Sequence, residues 1–210
     1  MQVTPLKIKS YIKEALKDDL MRSAVFKATH TAVQARQKVV DETPYWEDLR
    51  QKTHGIKKEV MENLDNYLIT FERKCSENGI QVHWAENANE ANEIILDLAQ
   101  SHGVKKIVKS KSLTSEEIEL NKNLIDHGLE TLETDLGEYI VQLKGHIPSH
   151  LTMPALHLSR QDIGRLFEEK LEIAYTDDPV ELLTVARKML RDHFLSADMG
   201  NRSIGEMGAL

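Results

Sequence analysis

The sequence predicts an α/β fold in which an N-terminal helical region packs on a parallel-sheet core. Two observations predict it. Up to Asn78 the apolar residues recur at helical spacing with no strand pattern between them. After Gly79 short strand-like runs alternate with capped helices, and such alternation argues for parallel strands joined by crossovers. Ligand sites on open sheets of this kind lie outside the carboxyl ends of the strands.

The elements follow in order. Thr4 is placed to cap a helix opening at Pro5, a second helical pattern runs from about Leu20 to Val40, and Pro44 suits the first turn of a third. In that third pattern Ile56, Val60, Leu64, Leu68 and Phe71 lie along one face, which needs a partner surface. Asn78-Gly79 ends it, since glycine accepts the left-handed conformation at a helix terminus. Ile80 to Ala85 reads as the first strand. Asn87 and Glu90 have capping-box spacing ahead of Ala91, Ile94, Ile95 and Leu98, and Gly103 stops that helix. Val104 to Val108 reads as the second strand. Thr114 and Glu117 repeat the capping pattern before Ile118, Leu120, Leu124 and Ile125, and Gly128 precedes a third strand, Leu129 to Glu133.

From Asp135 a short helix carries Tyr139, Ile140 and Leu143, and Gly145 to Leu158 forms a loop or short strand. Helices resume at Ser159, with Asp162 in the capping-box position, and at Asp178-Pro179 with Glu181, the last ending near Leu195. The expected division is a helical region at 1–78, an α/β core at 79–198 and a poorly ordered tail at 199–210.

Composition excludes several function classes. The 210 residues hold 27 Lys+Arg against 34 Asp+Glu, a net charge of -7, so no basic field is available for a nucleic-acid backbone. No apolar run approaches the roughly 20 residues needed to cross a bilayer. The N-terminus MQVTPLKIKSYIKEALKDDL lacks the apolar stretch of a secretory signal, and a cytoplasmic location is expected. A single cysteine, Cys75, excludes an intrachain disulfide, a thiolate zinc site and a four-cysteine iron-sulfur cluster supplied by this chain alone. Cys75 itself reads as an ordinary helix-end residue.

Three segments carry possible chemistry. In VKSKSLTSEE, Lys109, Ser110, Lys111, Ser112 and Thr114 stand between a strand end and a helix start, where cations, hydroxyls and free N–H groups suit a small anion. A solvated turn with a good cap is the competing reading. In ETDLGE, Glu133, Asp135 and Glu138 set carboxylates beside the same crevice as acid, base or nucleophile, although Asp135 also suits a helix cap. PSHLTMPALH supplies His150 and His157, with His146 upstream, for proton handling or substrate orientation. No metal-binding motif accompanies them, and no metal site is expected. His83 and Trp84 in QVHWA read as packing residues.

The ordered series PYWEDLR, IKKEVMENLDNYLITFERK, GIQVHWAENANEANEI, KSKSLTSEEIELN, ETDLGEYIVQL, PSHLTMPALH and IGRLF resembles the lactate-utilisation protein B family, whose shared region is the LUD domain. The match runs from about Leu20 to Asp198. The resemblance implies a core like the NagB/RpiA/CoA-transferase superfamily. It also implies a cytoplasmic iron-sulfur subunit of a complex that oxidises L-lactate to pyruvate, partnered by other lactate-utilisation subunits and passing electrons through [4Fe-4S] clusters. Members of that superfamily commonly hold phosphorylated or CoA-bearing ligands near strand ends, which favours the anion site at Lys109 to Thr114. Family members continue past the equivalent of ADMG into a glycine-rich segment and a cysteine-rich region, whereas this chain reads ADMGNRSIGEMGAL. The expectation is therefore a shortened chain, inactive alone, with no cluster of its own and strands of the sheet lost with the missing segment. The alternative is a sugar-phosphate isomerase or CoA-transferase-like enzyme with Glu133 or Glu138 as base or nucleophile, and a third reading is a purely structural scaffold.

Overall fold

The computed structural model describes residues 8–146, 148–149 and 153–202. The cap expected at Thr4, the candidate His150 and residues 203–210 of the expected tail lie outside them. Four helices come first: α1 (Ile8–Ala15), α2 (Asp19–Asp41), α3 (Trp46–Glu62) and α4 (Leu64–Glu77). Then follow α5 (Ala88–Ser101), β1 (Lys106–Lys109), α6 (Leu113–Glu117), α7 (Leu120–Asp126) and β2 (Glu130–Glu133). The order closes with α8 (Leu136–Lys144), α9 (Arg160–Leu171), α10 (Pro179–Leu195) and β3 (Met199–Asn201). The class is α/β, with helix predominating. Internal contacts divide the chain into one unit of Met1–Ala28 with Asn87–Leu210 and a second of Thr29–Glu86.

In the second unit, the single long helix expected after Pro44 is two. Asn63 leaves helical geometry at φ -124°, and its side-chain amide donates to the Glu59 carbonyl at 2.9 Å, competing with the ladder. The predicted apolar face stays open, with Ile56, Leu64, Leu68 and Phe71 all exposed. Ile80 to Ala85 is not a strand, which corrects the sequence expectation. A strand needs a hydrogen-bonded neighbour, and this segment has none among the described residues. Only Val82 of the six is even half-buried, and the Trp84 indole donates outward to Glu72 on α4 at 3.0 Å.

In the first unit a three-stranded parallel sheet has the order β2-β1-β3. Its first two strands fall where the sequence puts them. The third does not: Met199–Asn201, expected to open a poorly ordered tail, pairs with β1 in the register Ile107 to Met199 and Lys109 to Asn201. Asp198 explains the docking, because its carboxylate accepts from the Lys105 and Lys106 amides at 2.9 and 3.0 Å and so starts the strand in place.

The helix expected from Thr114 to Gly128 is also divided, at Glu119, a left-handed residue with φ 53° between α6 and α7. The cap of α6 is Ser112 rather than Thr114, its hydroxyl accepting from the Ser115 amide. The remaining caps match expectation: Asn87 on α5, Asp135 on α8, the reciprocal Ser159 and Asp162 pair on α9, and Asp178 with Pro179 on α10.

Two apolar clusters hold this unit. Ala99, Ile107, Leu120, Leu124 and Leu129 join α5 and α7 to one face of the sheet. Ile140, Leu166, Phe167, Leu182 and Ala186 join α8, α9 and α10. Among the described residues no helix is long and apolar enough to cross a membrane.

Candidate functional site

Parallel pairing brings the carboxyl ends of β1 and β2 side by side, with Lys109 opposite Glu133. Both are the last residues of their strands, and both point into the interior: Lys109 is 1% exposed and Glu133 3%. Burial of each charge is affordable only because the other is there. Lys109 Nζ donates to Glu133 Oε1 at 2.8 Å and to Glu116 of α6 at 3.4 Å. Asn121 of α7 donates to the same Glu133 oxygen at 2.7 Å. One turn into α8, Glu138 is buried and accepts from Lys111 at 2.8 Å, the lysine remaining 27% exposed.

Gln142, one turn further along α8, uses its amide in the manner of a neighbouring strand. Its oxygen accepts from the Glu133 amide and its nitrogen donates to the Thr131 carbonyl, both at 3.0 Å. Glu116, Asn121, Lys122, Asp126, Glu133 and Glu138 are among the residues lining a cleft of about 470 Å³, which Gln142, His146 and Pro148 also border. Burial pushes the Glu116 carboxyl above its usual value, Lys109 opposes that, and the Glu133 and Glu138 charges reinforce it.

The segment read as an anion cradle is arranged differently. Lys109 and Lys111 are each engaged by a carboxylate. The Ser110 amide is committed to the Asn201 carbonyl of β3, Ser112 caps α6, and Thr114 lies within α6. Asp135 caps α8, accepting from the Glu138 amide at 3.1 Å. His157 stacks on His146 with ring centres 6.1 Å apart, and its Nδ1 lies 2.9 Å from Ser149 Oγ. Burial, then the Lys144 and His146 charges, hold His157 below the ordinary imidazole value.

Sequence reasoning missed Glu116, Asn121 and Gln142. Only Gln142 left a signal, as an uncharged polar residue inside the apolar run YIVQL. Among the described residues, no group of three or more His, Cys, Asp and Glu side chains is arranged to hold a metal ion. Cys75, the one thiol of the chain, is half-buried near the end of α4 and cannot supply the four ligands of an iron-sulfur cluster.

Fold and site together define an α/β domain that gathers ionisable side chains at the carboxyl edge of a small parallel sheet. The chain belongs to the LUD domain family, whose model matches residues 68–201. It is 38% identical over 214 residues to Lactate utilization protein B of Bacillus cereus (strain AH820), covering 100% of this chain and 45% of that protein. The same identity and coverage hold for Lactate utilization protein B of Bacillus thuringiensis (strain Al Hakam). The Uncharacterized electron transport protein YkgF of Escherichia coli (strain K12) is 38% identical over 206 residues, covering 96% of this chain and 43% of that protein. The chain thus spans less than half the length of these curated relatives. No solved structure matches it.

Proposed function

We propose that this chain is the LUD-domain portion of a cytoplasmic electron-transferring protein that serves the oxidation of L-lactate to pyruvate beside other lactate-utilisation subunits. The observation that carries the reading is the 38% identity to Lactate utilization protein B along the whole chain. The name of the YkgF relative supports the electron-transfer part. The [4Fe-4S] clusters belong outside these residues, since one cysteine cannot ligate them.

Within that function the carboxyl-edge cleft is the ligand site, and a small carboxylate is its ligand. Lys111 receives it. Lys109 is held by two carboxylates and is fully buried, whereas among the described residues Lys111 is paired with one carboxylate and stays partly exposed. An arriving carboxylate exchanges with Glu138, which lines the same cleft as Glu116. Glu133 Oε1 already accepts from Lys109 and Asn121, which weighs against the isomerase and transferase reading.

Deletion of the gene in its host, followed by growth on L-lactate as sole carbon source, tests the function. Growth should fail and return with the intact gene, and unimpaired growth of the deletion strain would overturn the reading. Complementation with Lys111→Ala, with protein level checked, tests the site: slow growth at normal abundance is the expected result.

A further inference from the structure

At the opposite, amino-terminal end of the sheet, Lys106 enters a second polar cluster. Its Nζ donates to His193 Nδ1 at 2.9 Å and to Ser196 Oγ at 3.1 Å, and lies 3.2 Å from Glu130. Ser196 in turn donates to the His193 carbonyl at 3.1 Å. An ammonium group can only donate, so Nδ1 must accept, and the ring must be neutral with its proton on Nε2. His193 lies in the last turn of α10, and three residues after it Ser196 ends the helix. Asp198 then ties the chain to the Lys105 and Lys106 amides, and β3 begins. The Lys106 to His193 bond therefore fastens the segment that delivers β3 onto β1.

We propose that His193 is a pH-sensitive latch: its protonation replaces a Lys106 hydrogen bond with a contact between two cations and loosens β3 from β1. The charged groups around His193 set the balance. Lys106 of β1 opposes the second proton, whereas Glu130 of β2 and Asp192 of α10 favour it. Burial and Lys106 prevail, holding His193 below the ordinary imidazole value. An imidazole with a depressed folded value contributes stability that is complete above the unfolded value, near 6.5, and is lost as pH falls through the folded one. Release reaches the carboxyl-edge cluster, because β3 pairs Asn201 with Lys109 and its carbonyl holds the Ser110 amide at 2.9 Å. Mild acid therefore loosens the strand that flanks the buried lysine.

Amide hydrogen exchange on the 210-residue chain, corrected for the intrinsic pH dependence of exchange, tests the latch. Protection at the Ser110 amide should fall roughly tenfold between pH 7.5 and pH 5.5, the size set by losing one charge-assisted hydrogen bond. Amides inside α9 should keep their protection over that range. His193→Asn retains an acceptor near the Nδ1 position without titrating, so its Ser110 protection should be flat. An equal fall in the wild type and His193→Asn would overturn the proposal, as would constant protection in both. Loss of protection in α9 at the same pH would also overturn it, since that is global unfolding.

Discussion

Lys109 and Glu133 show how the site depends on pairing. Lys109→Ala strands a buried carboxylate with Asn121 as its remaining partner among the described residues, and losing one member of a buried pair costs roughly 3–5 kcal/mol. Lys111→Ala should cost less, about 1–2 kcal/mol, because that lysine is partly solvated. Urea unfolding of the two variants should give that order. Glu116 behaves in the opposite sense. A carboxyl group whose folded value is raised contributes stability below its unfolded value of about 4.5 and loses it as pH rises through the folded value. Glu116→Gln should therefore melt higher than the parent at pH 8, with the advantage gone at pH 4. Lys109, Lys111, Glu133 and Glu138 could be singled out in the sequence because alternation of strand and helix marks the strand ends, whereas Glu116, Asn121 and Gln142 could not. The pairing was not legible. Lys109 meets Glu133 across 24 residues and Lys111 meets Glu138 across 27, and no spacing rule selects those partners over a bound anion.

Four helix starts were legible from a local hydrogen bond, whereas the Ser112 cap of α6 and the Asn63 break between α3 and α4 were not. Asn87, Asp135, Ser159 and Asp178 cap their helices as the spacing predicts, since a cap is decided within three residues. Strands are decided by neighbours. Ile80 to Ala85 has strand composition and finds no partner strand among the described residues, whereas Met-Gly-Asn at 199–201 has little strand character and becomes β3 because Asp198 and β1 receive it. Close packing of α9 is equally invisible locally. A Cβ at Gly164 would stand 2.1 Å from the Thr176 carbonyl oxygen, a backbone atom that cannot swing aside. Gly164→Ala should therefore push α9 off the segment that follows it and cost about 3 kcal/mol or more, read as a lower denaturant midpoint. Gly55→Ala, with open space around its Cβ and a helix interior around its backbone, should instead stabilise slightly.

At the scale of the whole molecule, the cysteine count sets the clearest expectation. Anaerobic reconstitution of the purified chain with iron and sulfide should leave no stable cluster absorbance, and a stoichiometric [4Fe-4S] signal in a monomer would contradict the ligand count. The sheet is small, with strands of three or four residues, and such a sheet is vulnerable along its flanks. On the β2 flank the Gln142 amide occupies the Glu133 N–H and the Thr131 carbonyl. A second molecule approaching there meets a donor and an acceptor that are already satisfied, which weakens this flank as a template for edge-to-edge assembly. A side chain from within the chain thus protects against aggregation where larger proteins spend another strand.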